Sequence, residues 1–209
     1  MLFELRGTER RTLEIAGTIA PELLPQLPLD LELDGDRARV EVLFFRMRGL
    51  RMRGTPGPSF DYDEALWRVG VRFDGGLAWL AVACDIDSWS VRATGALLVR
   101  YPVRRARFTI DDERFEVEDE RARSFRVRVR ETDEVPKVRA PRRTLVRSKG
   151  ALYEIPWNEE PTEERRHASA TLDDEALVRA TFGGDVRWDA RATVQRGRVH
   201  RCGLARRVR

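Results

Sequence analysis

The chain has 209 residues, of which 42% are hydrophobic and 35% are charged, and this balance excludes an intrinsically disordered chain. Its 39 lysines and arginines face 35 acidic residues, so the net charge is only +4, and all 39 except Lys137 and Lys149 are arginines. The arginines alternate with acidic residues and accompany no recognised nucleic-acid-binding motif. The composition therefore favours a solvated, salt-bridged surface over a nucleic-acid partner.

Three further features are not expected from this sequence. No apolar run is long enough to cross a membrane, so no membrane partner is predicted. The first residues lack the basic start and apolar centre of a signal peptide, which predicts a cytoplasmic protein. Cys84, Cys202, His167 and His200 form no CxxC pair or other ligand cluster, so neither a metal site nor another cofactor is predicted.

The first quarter of the chain is predicted to form short strands joined by turns, because apolar and polar residues alternate there. In chain order, the predicted elements are strands at Leu2–Arg6 and Thr12–Ala16, a short helix after Thr18 that includes Pro21, and strands at Leu29–Leu33 and Arg37–Arg48. Gly49 to Asp63 is rich in Gly and Pro and predicts a loop. A loop of this length is either a functional rim or a surface excursion.

The stretch from Glu64 to Arg107 is the most informative. It begins with an alternating strand, turns at Asp74-Gly75-Gly76, and continues as an apolar run from Leu77 to Cys84 that indicates a strand covered on both faces. Ser88 is predicted to cap a helix that ends near Tyr101. The predicted buried side of that helix consists of Trp89, Ala93, Ala96, Leu97 and Leu98.

The remainder of the chain is again dominated by short strand patterns. The predicted elements are strands at Arg104–Ile110, Arg114–Val117 and Ser124–Arg130, a hairpin of Thr144–Arg147 and Ala151–Pro156, an exposed segment at Asn158–Arg166, a helix at Asp173–Phe182, and strands at Asp185–Gln195 and Val199–Val208. Many short strands with few helices indicate an all-β or β-dominated protein. The length favours one domain, residues 1–209. Patterning alone does not separate a sandwich from a barrel.

A series of short motifs carries a family resemblance. The motifs are Val40-Glu41-Val42, Phe45-Arg46-Met47-Arg48-Gly49, Arg53-Gly54, Tyr62-Asp63-Glu64, Phe73-Asp74-Gly75, Asp85-Ile86-Asp87-Ser88, Gly95 and Tyr101-Pro102-Val103-Arg104-Arg105. Their order and spacing resemble acetoacetate decarboxylase and, within that superfamily, the bacterial YqjF-like branch. The resemblance covers most of the chain, thinly between Thr109 and Asp185. It implies a closed, mostly antiparallel barrel with a few short peripheral helices and an internal pocket.

The resemblance also implies site residues. Acetoacetate decarboxylase has two glutamates in its pocket, on segments similar to those that carry Glu41 and Glu64, so these two are the predicted catalytic residues. Each lies on the polar face of an alternating strand, so exposure to solvent is the alternative to a position in the pocket. In a closed barrel, however, one strand face points into the lumen. The family's carboxylate-binding arginine matches Arg10 or Arg11, and Tyr62 is also predicted to bind the ligand.

The sequence departs from the family at its reactive lysine. The family has two adjacent lysines after the proline of the Tyr-Pro corner, and the first forms a Schiff base with the ketone. Val103 and Arg104 stand at these positions here. Valine has no nucleophile and a guanidinium stays protonated at neutral pH, while Lys137 and Lys149 lie in loop or turn sequence. Schiff-base chemistry is therefore not expected, and Arg104 either holds an anionic ligand or neutralises a buried glutamate.

Three functions fit these observations. The first is a pocket that binds a small organic acid or ketone without a Schiff-base lysine. The second is a lyase or isomerase that uses Glu41 or Glu64 as a general acid–base. The third is a non-catalytic structural or partner-binding β-domain whose interior is filled by side chains. The sequence indicates no oligomeric state.

Overall fold

The computed structural model describes residues 2–52, 59–136, 142–156 and 162–208, without the side chains of residues 2, 3, 52 and 202. The predicted loop residues Gly54 to Pro58, the motif residue Arg53, and Lys137 therefore lie outside the described residues. The described part of the chain is mostly β structure, as the sequence predicts, with thirteen strands in one sheet.

The described residues form the following elements in chain order. The strands are β1 (Leu2–Ile19), β2 (Leu33–Asp34), β3 (Arg37–Met52), β4 (Phe60–Phe73), β5 (Gly76–Ile86), β6 (Val103–Ile110), β7 (Arg114–Asp119), β8 (Ser124–Glu131), β9 (Arg143–Ser148), β10 (Ala151–Ile155), β11 (Glu164–Asp174), β12 (Arg187–Gly203) and β13 (Arg206–Arg207). The helices are α1 (Trp89–Thr94), continued by a π-helical turn at Gly95–Val99, and α2 (Ala176–Phe182), with a 3₁₀ turn at Pro21–Leu23.

The strand pairings follow a path whose last strand, β6, returns to β5. The order is β13-β10-β9-β5-β4-β3-β1-β12-β11-β8-β7-β6, with β2 on β3, and β6 also pairs with β5. Strand β5 therefore pairs at its first half with β9 and at its second half with β6, both in parallel. The remaining pairings in this sheet are antiparallel, which confirms the predicted orientation for most of it.

One face of the sheet carries the main core. Alternate residues of β3, β4 and β8, together with residues of β1, β7 and α2, pack into a single apolar cluster. Its largest members are Phe44, Trp67, Phe115, Phe125 and Phe182, whose rings contact one another with centroids 5.5–5.8 Å apart. These aromatic contacts dominate the packing because each large ring removes much apolar area from water.

The opposite face of β3, β4 and β5 carries a second core. Residues that alternate with those of the main core pack against the α1 segment and strands β9 and β10. The second core consists of Leu43, Phe45, Met47, Leu50, Tyr62, Leu66, Ala81, Cys84, Ile86, Tyr101, Val146 and Ile155. Strand β4, predicted to be half-buried, is therefore buried on both faces along most of its length.

Several predicted element boundaries are wrong. The two short strands at the start of the chain form one strand, β1, and the last two predicted strands form most of one strand, β12. Strands β3 and β4 extend into the predicted loop at Gly49–Asp63. The start of strand β11 belongs to the predicted exposed segment Asn158–Arg166, because its charged residues hide the alternation. Residues 158–161 of that segment lie outside the described residues.

The predicted buried side of the first helix is also wrong. Trp89 is 76% exposed and Leu97 is 69% exposed. The inward positions are instead Val91, Gly95 and Val99, spaced four residues apart, of which the two valines pack against the second core. Ser88 occupies the position before the helix, but its side chain makes no capping hydrogen bond.

Within the described ranges, neither helix nor any other helical segment has the length and apolar character that crossing a membrane requires.

Candidate functional site

Glu41 is buried in the first half of β3 and faces a charged partner. Only 1% of it is exposed, and its carboxylate accepts a hydrogen bond from Arg68, the residue directly opposite on β4. A second acid, Glu14 of β1, lies two residues from Ala16, the partner of Glu41 in the pairing of β1 with β3. Burial raises the pKa of Glu41 from 4.5 to about 7, against Arg68, which lowers it, while Glu14 raises it further.

Glu64 is also buried, with 8% exposed, and it contacts a thiol. The Sγ atom of Cys84, on β5, donates a hydrogen bond of 3.4 Å to Oε1 of Glu64. Burial raises the pKa of the Cys84 thiol well above its ordinary value, and the neighbouring Glu64 adds to this rise. The thiol therefore stays protonated at neutral pH and acts as a hydrogen-bond donor to Glu64.

The two glutamates lie on the same face of the sheet as the second core. Cross-strand partners share a face. Between β3 and β4, Phe45 pairs with Glu64, Leu43 with Leu66, and Glu41 with Arg68. Glu64 and Arg68 are four residues apart on β4, which corresponds to about 13 Å along a strand. The glutamates therefore occupy one face but do not form a carboxylate pair.

The structure separates Arg10 from Arg11. Arg10 pairs with Met47, which in turn pairs with Tyr62, so Arg10 and Tyr62 lie on the face of the two glutamates. Arg10 is buried, and its Nη2 donates to Oγ1 of Thr162 at 3.3 Å. The next residue on the strand points to the other face, because side chains alternate.

Arg11 fastens a turn on the main-core side. Its guanidinium donates to the carbonyl oxygens of Asp111 and Asp112 at 2.5 and 2.7 Å and to Glu131 at 3.3 Å, and it lies over the ring of Phe115 at 5.0 Å. Burial lowers the pKa of Arg11. These contacts give Arg11 a structural role in joining the strand ends, and its predicted ligand contact stays a prediction.

Val103 and Arg104 likewise point to opposite faces. Val103 pairs with Cys84 and packs against the second core, on the side of Glu64. Arg104 instead binds Asp85 through two hydrogen bonds, of 2.7 Å from Nε and 2.6 Å from Nη2. The fully buried Asp85 also accepts a hydrogen bond of 2.6 Å from Nε1 of Trp67. Arg104 thus neutralises a buried acid other than the two glutamates, and its predicted role in ligand binding stays a prediction.

An aromatic ring holds Arg68 from the side. The guanidinium of Arg68 lies 5.0 Å from the centre of the Trp79 ring, and that of Arg142 lies 4.9 Å from the same centre. Arg142 in turn donates to Glu32 at 2.5 Å. This stack fixes the partner of Glu41, because a cation over an aromatic face is attracted to it.

Sequence reasoning missed four residues of this face. Thr12 and Glu14 have the same parity as Arg10 on β1, and Arg68 has the same parity as Glu64 on β4, so period two alone marks Thr12, Glu14 and Arg68 as members of the face. The contact of Cys84 with Glu64 depends on the register of β4 with β5, which the hairpin at Asp74-Gly75 sets. Both turn residues have positive φ, 48° and 75°, as the predicted turn requires.

Among the described residues, no group of three or more His, Cys, Asp or Glu side chains is arranged to hold a metal ion.

No protein-family model matches the sequence, and no curated protein sequence matches it significantly. Solved structures do match. Acetoacetate decarboxylase from Legionella pneumophila has a TM-score of 0.68 at 16% identity, with 98% of this chain and 87% of that chain covered.

Two further structures agree with this likeness. An acetoacetate decarboxylase-like enzyme from Sphingomonas wittichii has a TM-score of 0.66 at 14% identity, covering 99% of this chain and 92% of that one. The enduracididine biosynthesis enzyme MppR, complexed with pyruvate, has a TM-score of 0.67 at 12% identity, covering 100% and 91%. The chain therefore has the acetoacetate decarboxylase-like fold that the sequence motifs predict. Identities this low show the fold alone.

Proposed function

We propose that this protein binds a small organic acid or ketone on the face that carries Arg10, Glu41, Tyr62 and Glu64, and that it does so without a Schiff-base lysine. The observation that carries the proposal is the burial of two carboxylates, of Glu41 and Glu64, and two guanidiniums, of Arg10 and Arg68, on the face of the second core. Buried ionisable groups are costly and rare outside functional sites and ion pairs. MppR, with the same fold, binds pyruvate, a small organic acid.

The face combines a charged group with an apolar surface, and this combination supports that ligand class. The Arg10 guanidinium suits a carboxylate, to which it can donate two parallel hydrogen bonds. The second-core residues Phe45, Met47 and Tyr62 supply an apolar surface beside it. Small-molecule sites combine such a surface with a few polar groups that fix the orientation of the ligand.

The absence of a Schiff-base lysine is part of the proposal. The sequence motifs put Val103 at the position of that lysine, and Val103 packs against the second core on the site's face. The exposed Lys149 lies in the turn between β9 and β10. A solvated lysine keeps its charge at neutral pH and offers no free amine. Sodium borohydride with acetoacetate is expected to leave the mass of the protein unchanged, and a trapped adduct would contradict the assignment.

We also propose a closed barrel within one domain, residues 1–209. Its nine strands are β5, β4, β3, β1, β12, β11, β8, β7 and β6, and the pairing of β6 with β5 closes the ring. The return of the pairing path to β5 supports closure. In this arrangement the main core fills the interior, and the site lies outside it, beneath α1, β9 and β10. A cytoplasmic location and a closer relationship to the YqjF-like branch complete the proposal, the latter supported by the sequence motifs.

A second function is favoured by one observation. A carboxyl group with a pKa of about 7, as at Glu41, is suited to take and return a proton at neutral pH. Glu41 would then be the general acid–base of a lyase or isomerase, with Arg68 orienting its carboxylate. The non-catalytic alternative retains the filled main core but assigns no ligand to the buried acids.

A titration calorimetry panel of pyruvate, acetoacetate and acetone tests the proposal. We expect the wild-type protein to bind the two acids, and Arg10→Ala to weaken their binding by about tenfold or more, because a charged hydrogen-bond donor to the carboxylate is lost. Arg11→Ala is the matched control: it is expected to lower stability but to retain affinity. No binding by the wild-type protein, or equal loss in both variants, would contradict the proposal.

The same panel, followed for product formation, separates binding from catalysis. If the protein is an enzyme of the second kind, Glu41→Gln abolishes turnover while binding persists. Turnover that survives this substitution excludes Glu41 as the acid–base.

A further inference from the structure

Thr12 carries a buried hydroxyl that has no hydrogen-bond partner among the described residues. Only 4% of Thr12 is exposed, and its Oγ1 makes no hydrogen bond with any described residue. Buried polar side chains in folded proteins are nearly always hydrogen-bonded, and an unsatisfied hydroxyl destabilises the free protein. Such a group needs an explanation, and a hydrogen bond from the Thr12 hydroxyl to a bound molecule provides one.

The strand register places Thr12 between the two ends of the proposed site. On β1 it lies two residues from Arg10 on the same face, which corresponds to about 7 Å. Across the sheet it pairs with Phe45, and Phe45 pairs with Glu64, so two strand spacings, about 10 Å, separate Thr12 from Glu64. On its other side it pairs with Gln195 of β12.

This placement suits a short acid that lies across the strands. A carboxylate near Arg10 comes within reach of the Thr12 hydroxyl, because the long arginine side chain can extend back along the strand. The carbon chain then crosses Phe45, an apolar residue of the second core. The other end of the molecule faces Glu64 and the thiol of Cys84.

We propose that the Thr12 hydroxyl binds the ligand, donating a hydrogen bond to the carboxylate that Arg10 holds, and so selects acids over neutral ketones. The inference rests on the proposed function of this face and adds a residue that determines specificity. Its physical signature is a hydroxyl that is unfavourable in the free protein and favourable in the complex. A hydroxyl with a purely structural role would stabilise the free protein instead.

The test compares Thr12→Val, which replaces the hydroxyl with a methyl group of similar size, with Thr12→Ser, which keeps the hydroxyl. Pyruvate, acetoacetate and acetone are titrated into each full-length variant, and urea unfolding is measured without ligand. We expect Thr12→Val to bind the two acids about tenfold more weakly, because one hydrogen bond to a charged group is lost. Its acetone affinity and its unfolding midpoint should be unchanged or higher. Thr12→Ser should bind the acids like the wild-type protein.

The outcomes distinguish a failure of the proposed function from a failure of the inference about Thr12. If the wild-type protein binds none of the three probes, both the proposed function and this inference fail. If it binds the acids and Thr12→Val binds them equally well, the inference alone is wrong. A lower unfolding midpoint for Thr12→Val, or an equal loss of acetone and acid affinity, would overturn it as well. Thr109→Val, at an exposed threonine of β6, controls for the substitution itself and should change neither measurement.

Discussion

At Glu41, burial and a neighbouring acid act in the same direction on one proton. The guanidinium of Arg68 lowers the pKa of the buried carboxyl, but burial and the like charge of Glu14 raise it. The pKa is therefore about 7, and the protonated form is favoured below that pH. Arg68 itself is held against Trp79. The protonation of this one residue therefore couples the stability of the fold to pH.

Glu41 should make the protein less stable as the pH rises from about 4.5 to about 7. Its pKa is higher in the folded state than in the unfolded state, so the folded protein binds more protons in this range, and the free energy of unfolding falls with pH. A shift from 4.5 to about 7 corresponds to on the order of 3 kcal/mol. Urea unfolding of the wild-type protein and of Glu41→Gln at several pH values measures this loss as the difference between them.

This change of the free energy of unfolding with pH should be specific to the buried Glu41. Glu120→Gln, at a solvated acid of the β7–β8 turn, should differ from the wild-type protein by an amount that does not change with pH over this range. A difference between the wild-type protein and Glu41→Gln that is constant from pH 4.5 to 7 would contradict a raised pKa for Glu41.

The sequence singled out two acids, but it did not predict their surroundings. Glu41 and Glu64 were chosen by resemblance, with solvent exposure as the open alternative, and both are buried. The second core on their face includes Val146 and Ile155, about a hundred residues further along the chain. Alternation within a strand reports the parity of a residue but not what packs on each face, so this burial could not be predicted locally.

Between elements, the pair of Arg104 and Asp85 joins β6 to β5 where their parallel pairing begins. The carboxylate of Asp85 is fully buried and shares its hydrogen bonds between Arg104 and Trp67. The pair therefore connects the strand junction to the main core. A change at this point should affect stability more than ligand affinity, because it lies on the face opposite to Glu64.

Arg104→Met should destabilise the protein by about 3 kcal/mol, because it leaves a buried carboxylate without its cation. Arg105→Met is the matched control: the neighbouring Arg105 is exposed and its ion pair with the exposed Glu120 spans 3.8 Å, so its loss should cost less than about 0.5 kcal/mol. Chemical denaturation measures both. Equal stability of the two variants would show that the Arg104–Asp85 pair does not hold the junction.

The elements with clean alternation were predictable, and those with mixed patterns were not. Strand β8 has buried Phe125, Val127 and Val129 alternating with arginines, as predicted. Strand β1 was split in two, because Arg10 and Arg11 are charged yet buried, one on each face. A charged residue is assigned to solvent by any local rule, and only the tertiary contacts of these arginines show otherwise.

At the scale of the whole molecule, the thirteen strands of the described ranges belong to a single sheet with cores on both faces. Strands β3, β4 and β5 contribute to both cores, so neither core can form without them. We therefore expect one cooperative unfolding transition. Urea denaturation followed by tryptophan fluorescence and by far-ultraviolet circular dichroism should give the same midpoint, and two separate transitions would contradict the assignment of one domain to residues 1–209.

The pairing of β1 with β12 has a consequence for the newly made chain. One edge of β1 can join β3 early, but its other edge waits for β12, which begins at Arg187. At the usual speed of translation the ribosome needs on the order of ten seconds or more to supply that partner. During this interval a long strand edge is open to other chains. Molecular chaperones that shield such edges should therefore raise the yield of the native protein.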